Sequence, residues 1–270
     1  MAEAEYVLGT HDEERDRLGL QHRLWSGPAF ALWERAGIAP GQRVLDLGCG
    51  PGFTTFDLAG VVGPTGRVFG VDVSERFVGY LRERARRLEL THVDAAVGDV
   101  QQLELAEASF DAAYQRWVLC FVPDPEAVIA AAARALRPGG VFAIQEYLHY
   151  RGILLAPGSA AFRRVVEVVD GSWRARGGDP DVGRRLPELL LRRGFAVEEV
   201  RHLVRTARPE APLWQWPATF FRTNLPLLVA SGQLTAEKAE AFHTDWQAHT
   251  ENPGAFFCSP PMVEIIARKR

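Results

Sequence analysis

A short apolar strand that runs straight into three alternating glycines constrains this chain more than any other feature. Arg43-Val44-Leu45-Asp46-Leu47 leads into Gly48-Cys49-Gly50-Pro51-Gly52, and a helix is expected from about Phe53 to Val61. A continuous apolar run of this length fits a strand covered on both faces. Glycine lacks a Cβ, so the backbone can turn sharply at the strand's end and let a ligand approach its amides. The following helix points its N-terminal N–H groups at the same space. Taken alone, the loop also reads as a plain tight turn.

The alternation of strand and helix continues. Strands are expected at Val68–Asp72, Val93–Val97, Phe110–Val118 and Val141–Ile144. Ser74 is placed as the N-cap of a helix carrying Phe77, Leu81, Ala85 and Leu88 on one face. Asp124-Pro125 reads as N-cap and first turn of another, with Val128, Ile129, Ala132 and Leu136 inward and Pro138-Gly139-Gly140 at its end. Such alternation builds parallel βαβ units. Upstream, Asp12 to Ala36 has helical spacing, with Gly27-Pro28 expected to split it in two. Downstream, Arg151 to Arg185 is mixed, Arg184 to Arg193 is helical, Phe195 to Val204 is a sixth strand and Met262 to Ala267 a last one. The aromatic, proline-punctuated stretch between those two strands is too long for a bare connection. The fold class is therefore α/β: a doubly wound, mostly parallel, Rossmann-like seven-stranded sheet with helical caps. Its expected parts are an N-terminal helical cap (1–40), an α/β core (41–205), a helical lid (206–258) and the last strand (259–270).

Composition narrows the function. The chain has 270 residues and a net charge of -3, and its 47% hydrophobic and 24% charged residues fit a globular protein rather than a disordered one. A near-neutral chain is a poor nucleic-acid binder, so nucleic acid is not expected as a partner. No apolar run is long enough to cross a membrane. The acidic N-terminus, Met1 to Glu5, does not read as a secretory signal. Cys49, Cys120 and Cys258 are too scattered for a disulfide framework, and no HxxxH or CxxC spacing occurs. A cytoplasmic protein without a metal is the expectation. Lys238 and Lys269 are the only lysines, a skew toward arginine that reads as a GC-rich genome.

Two acids give the glycine loop its chemistry. Asp72 ends the second strand, 20 residues past Gly52, where a carboxylate can accept bonds from ribose hydroxyls. Asp99 ends the third strand, where it can accept from an exocyclic adenine amine with Val100 against the ring. Together with the loop they describe a nucleoside site.

These residues, with Gly98-Asp99, Phe110-Asp111 and Pro123-Asp124-Pro125 through Leu136-Arg137-Pro138-Gly139-Gly140, make the chain resemble the class I S-adenosylmethionine-dependent methyltransferases. The resemblance is strong from about Gly41 to Tyr147 and adds the sulfonium cofactor, with S-adenosylhomocysteine as product. It implies that Asp46, Gly48, Cys49, Gly50 and Gly52 hold the amino acid end. It assigns Asp72 to the ribose and Asp99 with Val100 to the adenine, and adds Val73, Gly98, Gln115 and Arg116 as cofactor contacts. The stretch from Tyr6-Val7-Leu8-Gly9 to Gln21-His22 is similar to one that closes over the cofactor in small-molecule members. That makes Tyr6 and Gln21 candidates, against an amphipathic packing helix.

Methyl transfer from a sulfonium is an in-line displacement that needs alignment and exclusion of water. A base is needed only for a nucleophile that is protonated at working pH. Where amino-methyltransferases carry an Asn/Asp-Pro-Pro-aromatic tetrapeptide, this chain has Gln115-Arg116-Trp117-Val118, which argues against a nucleobase or amide acceptor. Arg116 meets a carboxylate of cofactor or substrate, or pairs with an acid. Glu146 and His149, after the fifth strand, are the candidate catalytic groups, or else they hold the next loop. Tyr147, Trp173, Trp214, Trp216 and Phe220 are the candidate substrate wall, or else core. The expected reaction is transfer to O or N of a small, partly aromatic or apolar metabolite, with a homodimer as a further partner state. The rivals are a protein methyltransferase, a non-methylating sulfonium-binding protein, and a dinucleotide oxidoreductase, the last disfavoured by a G-x-G-x-G loop.

Overall fold

The computed structural model describes residues 10–270. In chain order the elements are α1 (Asp12–Ala36), β1 (Arg43–Leu47), α2 (Phe53–Val62), β2 (Arg67–Asp72), α3 (Glu75–Arg87), β3 (Val93–Val97), β4 (Phe110–Arg116), α4 (Pro125–Ala135) and β5 (Leu136–Tyr147). There follow β6 (Leu154–Ala156), α5 (Ala160–Ala175), α6 (Leu186–Arg192), β7 (Phe195–Leu203), β8 (Thr206–Ala207), α7 (Gln215–Ala230), α8 (Ala236–Glu251), β9 (Phe256–Cys258) and β10 (Met262–Lys269).

Seven strands form one sheet in the order β3-β2-β1-β4-β5-β10-β7. The first five run parallel, and β10 lies antiparallel between β5 and β7. The strand order reverses beside β1, at the β1–β4 pair, so the carboxyl ends of β1 and β4 open a crevice there. Both faces are covered. Leu32, Trp33, Leu58, Val62, Val78 and Leu81 pack on one face, and Val128, Ile129, Leu186, Leu190 and Trp173 belong to the core on the other. Among the described residues no helix is long and apolar enough to cross a membrane.

Local chemistry explains the boundaries. Ser74 caps α3 by accepting from Phe77 N, and Asp124 caps α4 by accepting from Ala127 N with Pro125 in the first turn. The expected break at Gly27-Pro28 is corrected, because α1 runs through it. Proline removes one N–H and so orphans the carbonyl four residues back, here that of Leu24. The Arg205 guanidinium donates to that carbonyl. A second correction concerns Arg151 to Arg185, which holds the four-turn helix α5, capped by Ser159 accepting from Phe162 N. The stretch expected as a lid folds into α7 and α8, while β6, β9 and β8 pair in that order as a small antiparallel sheet.

Candidate active site

The glycine loop leaves β1 with Gly48 N and Cys49 N both donating to the Val71 carbonyl, which ties it to β2. Its three glycines have left-handed φ values of 68°, 52° and 87° at positions 48, 50 and 52. They serve different ends. A Cβ on Gly48 would lie 2.3 Å from Val118, and one on Gly52 would lie 2.5 Å from Leu81 of α3. A Cβ on Gly50 would meet nothing within 4 Å, because that position faces open space. Gly48 and Gly52 thus let elements pack closely, and Gly50 keeps a cradle clear.

The space is a cavity of about 350 Å³. Its polar end is lined by Asp46, Gly48, Cys49, Gly50, Pro51, Asp72, Val73, Asp99 and Val100. Asp72 accepts from Gly50 N at 2.8 Å and from Ser74 N at 2.9 Å, one bond on each oxygen. Each oxygen keeps a lone-pair direction for a further donor. Burial pushes the Asp72 carboxyl up, against those two amides. Burial also pushes Asp46 up to about 7, against the Thr55 hydroxyl that donates to it at 2.7 Å and the charge of Arg116. Asp99 accepts from Gln101 N at 2.9 Å, and Val100 beside it is buried.

Helix α1 roofs this end. Arg17, Leu18, Gln21 and His22 line the cavity from one helix face. Gln21 Oε1 accepts from Arg17 at 3.0 Å and from Trp216 Nε1 at 2.9 Å, which joins α1 to α7. His22 Nε2 meets Asp57 at 2.8 Å, and the Arg116 guanidinium donates to its Nδ1 at 3.3 Å. Arg116 therefore lines the cavity, yet its partners are a histidine and the Trp25 carbonyl rather than an acid.

The other end is aromatic. Trp117, Tyr147, Tyr150, Trp173, Trp216 and Phe220 line it, with Phe121 and Ile153. Trp117 has φ 54°, an uncommon conformation for a bulky residue. Its turn is held by Glu146, whose Oε1 accepts from Val118 N and Leu119 N, each at 2.7 Å.

Several expected site residues lie elsewhere. Glu146, expected as a catalytic carboxylate, is fully buried behind the wall, spent on these backbone amides and on Tyr147 N, and does not line the cavity. Burial pushes it up to about 7, against bonds from Cys120, Val118, Leu119 and Tyr147. His149 does not line the cavity; its Nδ1 meets Arg184 at 2.9 Å and Asp181 at 3.4 Å, where the half-exposed ring holds a loop. Trp214 stacks on Trp246 at 4.8 Å and fills the packing between α7 and α8. Gln115 is buried and bonds Val118 N at 3.2 Å. Gly98 donates to the Asp72 carbonyl, and Gly52 packs on Leu81; none of these three lines the cavity. Tyr6 lies outside the described residues. Arg17, His22, Tyr114, Trp117, Phe77 and Tyr150 line the cavity without having been singled out as contacts. The spacing 17, 18, 21, 22 was a readable signal for the α1 face, whereas nothing in the sequence marks the strained turn at Trp117.

The open crevice at the switch in strand order, the clear cradle at Gly50 and the two acids at strand ends define a nucleoside-binding Rossmann-like domain. Residues 38–161 match the family model of a methyltransferase domain. An uncharacterised 37.1 kDa protein of a Streptomyces fradiae transposon is 32% identical over 235 residues, 85% of this chain and 63% of that protein. The 2-phytyl-1,4-naphtoquinone methyltransferase of Synechococcus elongatus is 40% identical over 140 residues, 51% of this chain and 59% of that enzyme. The chain thus spans less than two thirds of the length of these relatives. In fold it is similar to geranyl diphosphate C-methyltransferase from Streptomyces coelicolor A3(2), with a TM-score of 0.60 at 19% identity over 92% of this chain and 77% of that one. The chain is thus similar to methyltransferases in the sequence of this domain and in fold.

Proposed function

We propose that this chain transfers a methyl group from S-adenosylmethionine to a small, partly aromatic or apolar acceptor. The observation that carries the reading is one cavity with two unlike ends, a glycine cradle flanked by buried carboxylates and a box of aromatic faces. Its concave, apolar lining suits a small molecule better than a macromolecular surface. When bound, the cofactor supplies an electrophilic methyl carbon on a sulfonium.

The chain's own residues do the rest. Asp72 offers its remaining lone pairs to ribose hydroxyls, and Asp99 with Val73 and Val100 forms the adenine pocket. Gln21, Asp46 and Arg116 surround the amino acid end, with the loop amides beneath. The aromatic walls exclude water and set the angle of approach. His22 has both ring nitrogens engaged, by Asp57 and Arg116, so an acceptor's proton does not pass to it. Cytoplasmic location and a homodimer belong to the same proposal.

Calorimetric titration with S-adenosylhomocysteine tests the reading, with Asp72→Asn as control. Binding is expected in the wild type and weakened in the variant. No binding to the wild type sinks the proposal. Cofactor that binds but is never consumed, across a panel of acceptors, would shift the chain to the non-methylating class.

A further inference from the structure

The aromatic end carries a pattern of planes and charges from which an acceptor class follows, given the methyltransferase reading above. Trp216, Trp117, Tyr147 and Trp173 form a continuous array of nearly parallel rings. Their successive interplanar angles are 18°, 22° and 27°, and their centroids are 5.8, 5.8 and 6.1 Å apart. Parallel faces at the wall of a cavity favour a flat guest that continues the stack.

Charge narrows the class. The lining carboxylates Asp46, Asp72 and Asp99 all belong to the cradle end. Two cations meet the aromatic box: Arg116, over the Trp117 ring at 5.1 Å and assigned above to the amino acid end of the cofactor, and Arg17, over the Phe220 ring at 5.8 Å. Arg17 Nε and Nη2 each donate to Glu14 at 2.6 Å, and its Nη1 donates to Gln21. That guanidinium is committed to a buried partner. A phosphorylated acceptor would have to shed water there and compete with the cofactor's carboxylate for Arg116, which is costly. An ammonium acceptor would find no carboxylate in the box. It would also have to approach a sulfonium of like charge.

Four polar groups of the box remain, the indole N–H groups of Trp117 and Trp173 and the two tyrosine hydroxyls. The hydroxyls of Tyr147 and Tyr150 have no hydrogen-bond partner among the described residues, although both side chains are buried against the cavity. A phenol hydroxyl in such a place donates to an oxygen lone pair. We infer that the acceptor is an uncharged, planar molecule bearing a phenol or carbonyl oxygen, bound in the ring stack with its oxygen on Tyr147 or Tyr150.

Three probes with one ring system separate the cases: 1-naphthol, 1-naphthyl phosphate and 1-naphthylmethylammonium. Each is measured by equilibrium dialysis near neutral pH against protein saturated with S-adenosylhomocysteine. 1-Naphthol should bind at least about tenfold more tightly than either charged probe. Tyr147→Phe together with Tyr150→Phe should weaken 1-naphthol about three- to tenfold and leave naphthalene unchanged. A charged probe that binds as well as 1-naphthol overturns the inference, and so does 1-naphthol binding no better than naphthalene. Saturation with S-adenosylhomocysteine is itself measured first. Its failure sinks the methyltransferase reading, whereas its success with an inverted probe order sinks only the acceptor class.

Discussion

At the glycine end of the cavity the chain presents backbone and short carboxylates; at the aromatic end it presents large side chains gathered from distant elements. The first end comes from the carboxyl ends of β1, β2 and β3 and spans residues 46 to 100. The second draws Trp117 from the turn after β4, Tyr147 from β5, Trp173 from α5 and Trp216 and Phe220 from α7. Backbone geometry is dictated locally, so the first end tolerates little change. Side-chain walls depend on packing between elements, so the second end can be reshaped while the sheet stands. That difference is open to attack by substitution.

The largest effect is expected inside the glycine loop. Gly52→Ala puts a Cβ 2.5 Å from Leu81 at φ 87°. Left-handed strain costs about 1–2 kcal/mol and overpacking about 1–3 kcal/mol, so stability should fall by roughly 2–5 kcal/mol. Gly50→Ala keeps the strain and meets no neighbour, so it should lose only about 1–2 kcal/mol. Its methyl enters the cradle, so S-adenosylhomocysteine affinity should drop by at least about tenfold. Urea unfolding and calorimetry on the pair decide the matter. Equal damage to stability from both variants would remove the distinction between packing glycine and cradle glycine.

Next comes Glu146, which ties the two ends together by holding the Trp117 turn. Glu146→Gln keeps an oxygen for Val118 N and Leu119 N but turns an NH2 group toward Tyr147 N. It should cost about 1–3 kcal/mol. The pH dependence is the sharper readout. The folded Glu146 carboxyl is pushed up to about 7 from an ordinary 4.5, so between those values the folded state binds more protons than the unfolded one. Stability must therefore fall as pH rises through that window, by up to about 1.4 kcal/mol per pH unit from this group. Asp46, also pushed up to about 7, adds a slope of the same sign. Glu146→Gln should shed its share and leave that of Asp46. An unchanged slope in the variant would show that Glu146 stays ionised on its amides throughout.

The same contrast explains what the sequence reveals. Asp72, Asp99, Gly48 and Gly50 were readable because strand, turn and helix signals fall within a few residues of one another. Ser74 and Asp124 announced their helices for the same reason. Pro28 misled, because its remedy is Arg205, 181 residues from the Leu24 carbonyl that it satisfies. Glu146 misled by a single residue. Successive side chains on a strand point to opposite faces, so Tyr147 enters the cavity while Glu146 turns into the protein. Helix α5 was hidden by its β-branched Val165-Val166 and Val168-Val169 pairs and by Gly171, all weak helix formers that its buried face overrides.

A smaller effect is expected at the seam between α1 and α7. Gln21 Oε1 accepts from both Arg17 and Trp216. Gln21→Ala leaves a buried indole N–H without its partner and should cost about 1 kcal/mol. Because the bridge spans the roof of one end and the wall of the other, affinity for S-adenosylhomocysteine and for a ring probe should fall together. Loss of one without the other would mean that the two ends are closed independently.

The smallest effect is expected at His149, the residue whose chemistry looked best suited to proton transfer. Its side chain is 44% exposed and sits among Arg184 and Asp181, outside the cavity wall. The loop it belongs to has backbone ties besides those of the ring. His149 N donates to the Pro261 carbonyl, and Tyr150 N donates to Asp181 at 3.0 Å. His149→Ala removes exposed ring contacts and leaves both backbone ties, so stability should change by no more than about 0.5 kcal/mol. Turnover and its pH profile near neutrality should match the wild type, because no reacting atom meets the imidazole. A lost limb in that profile, with cofactor affinity intact, would return His149 to the reaction. It would require the loop after β5 to swing the ring past Tyr150 when both ligands are in place.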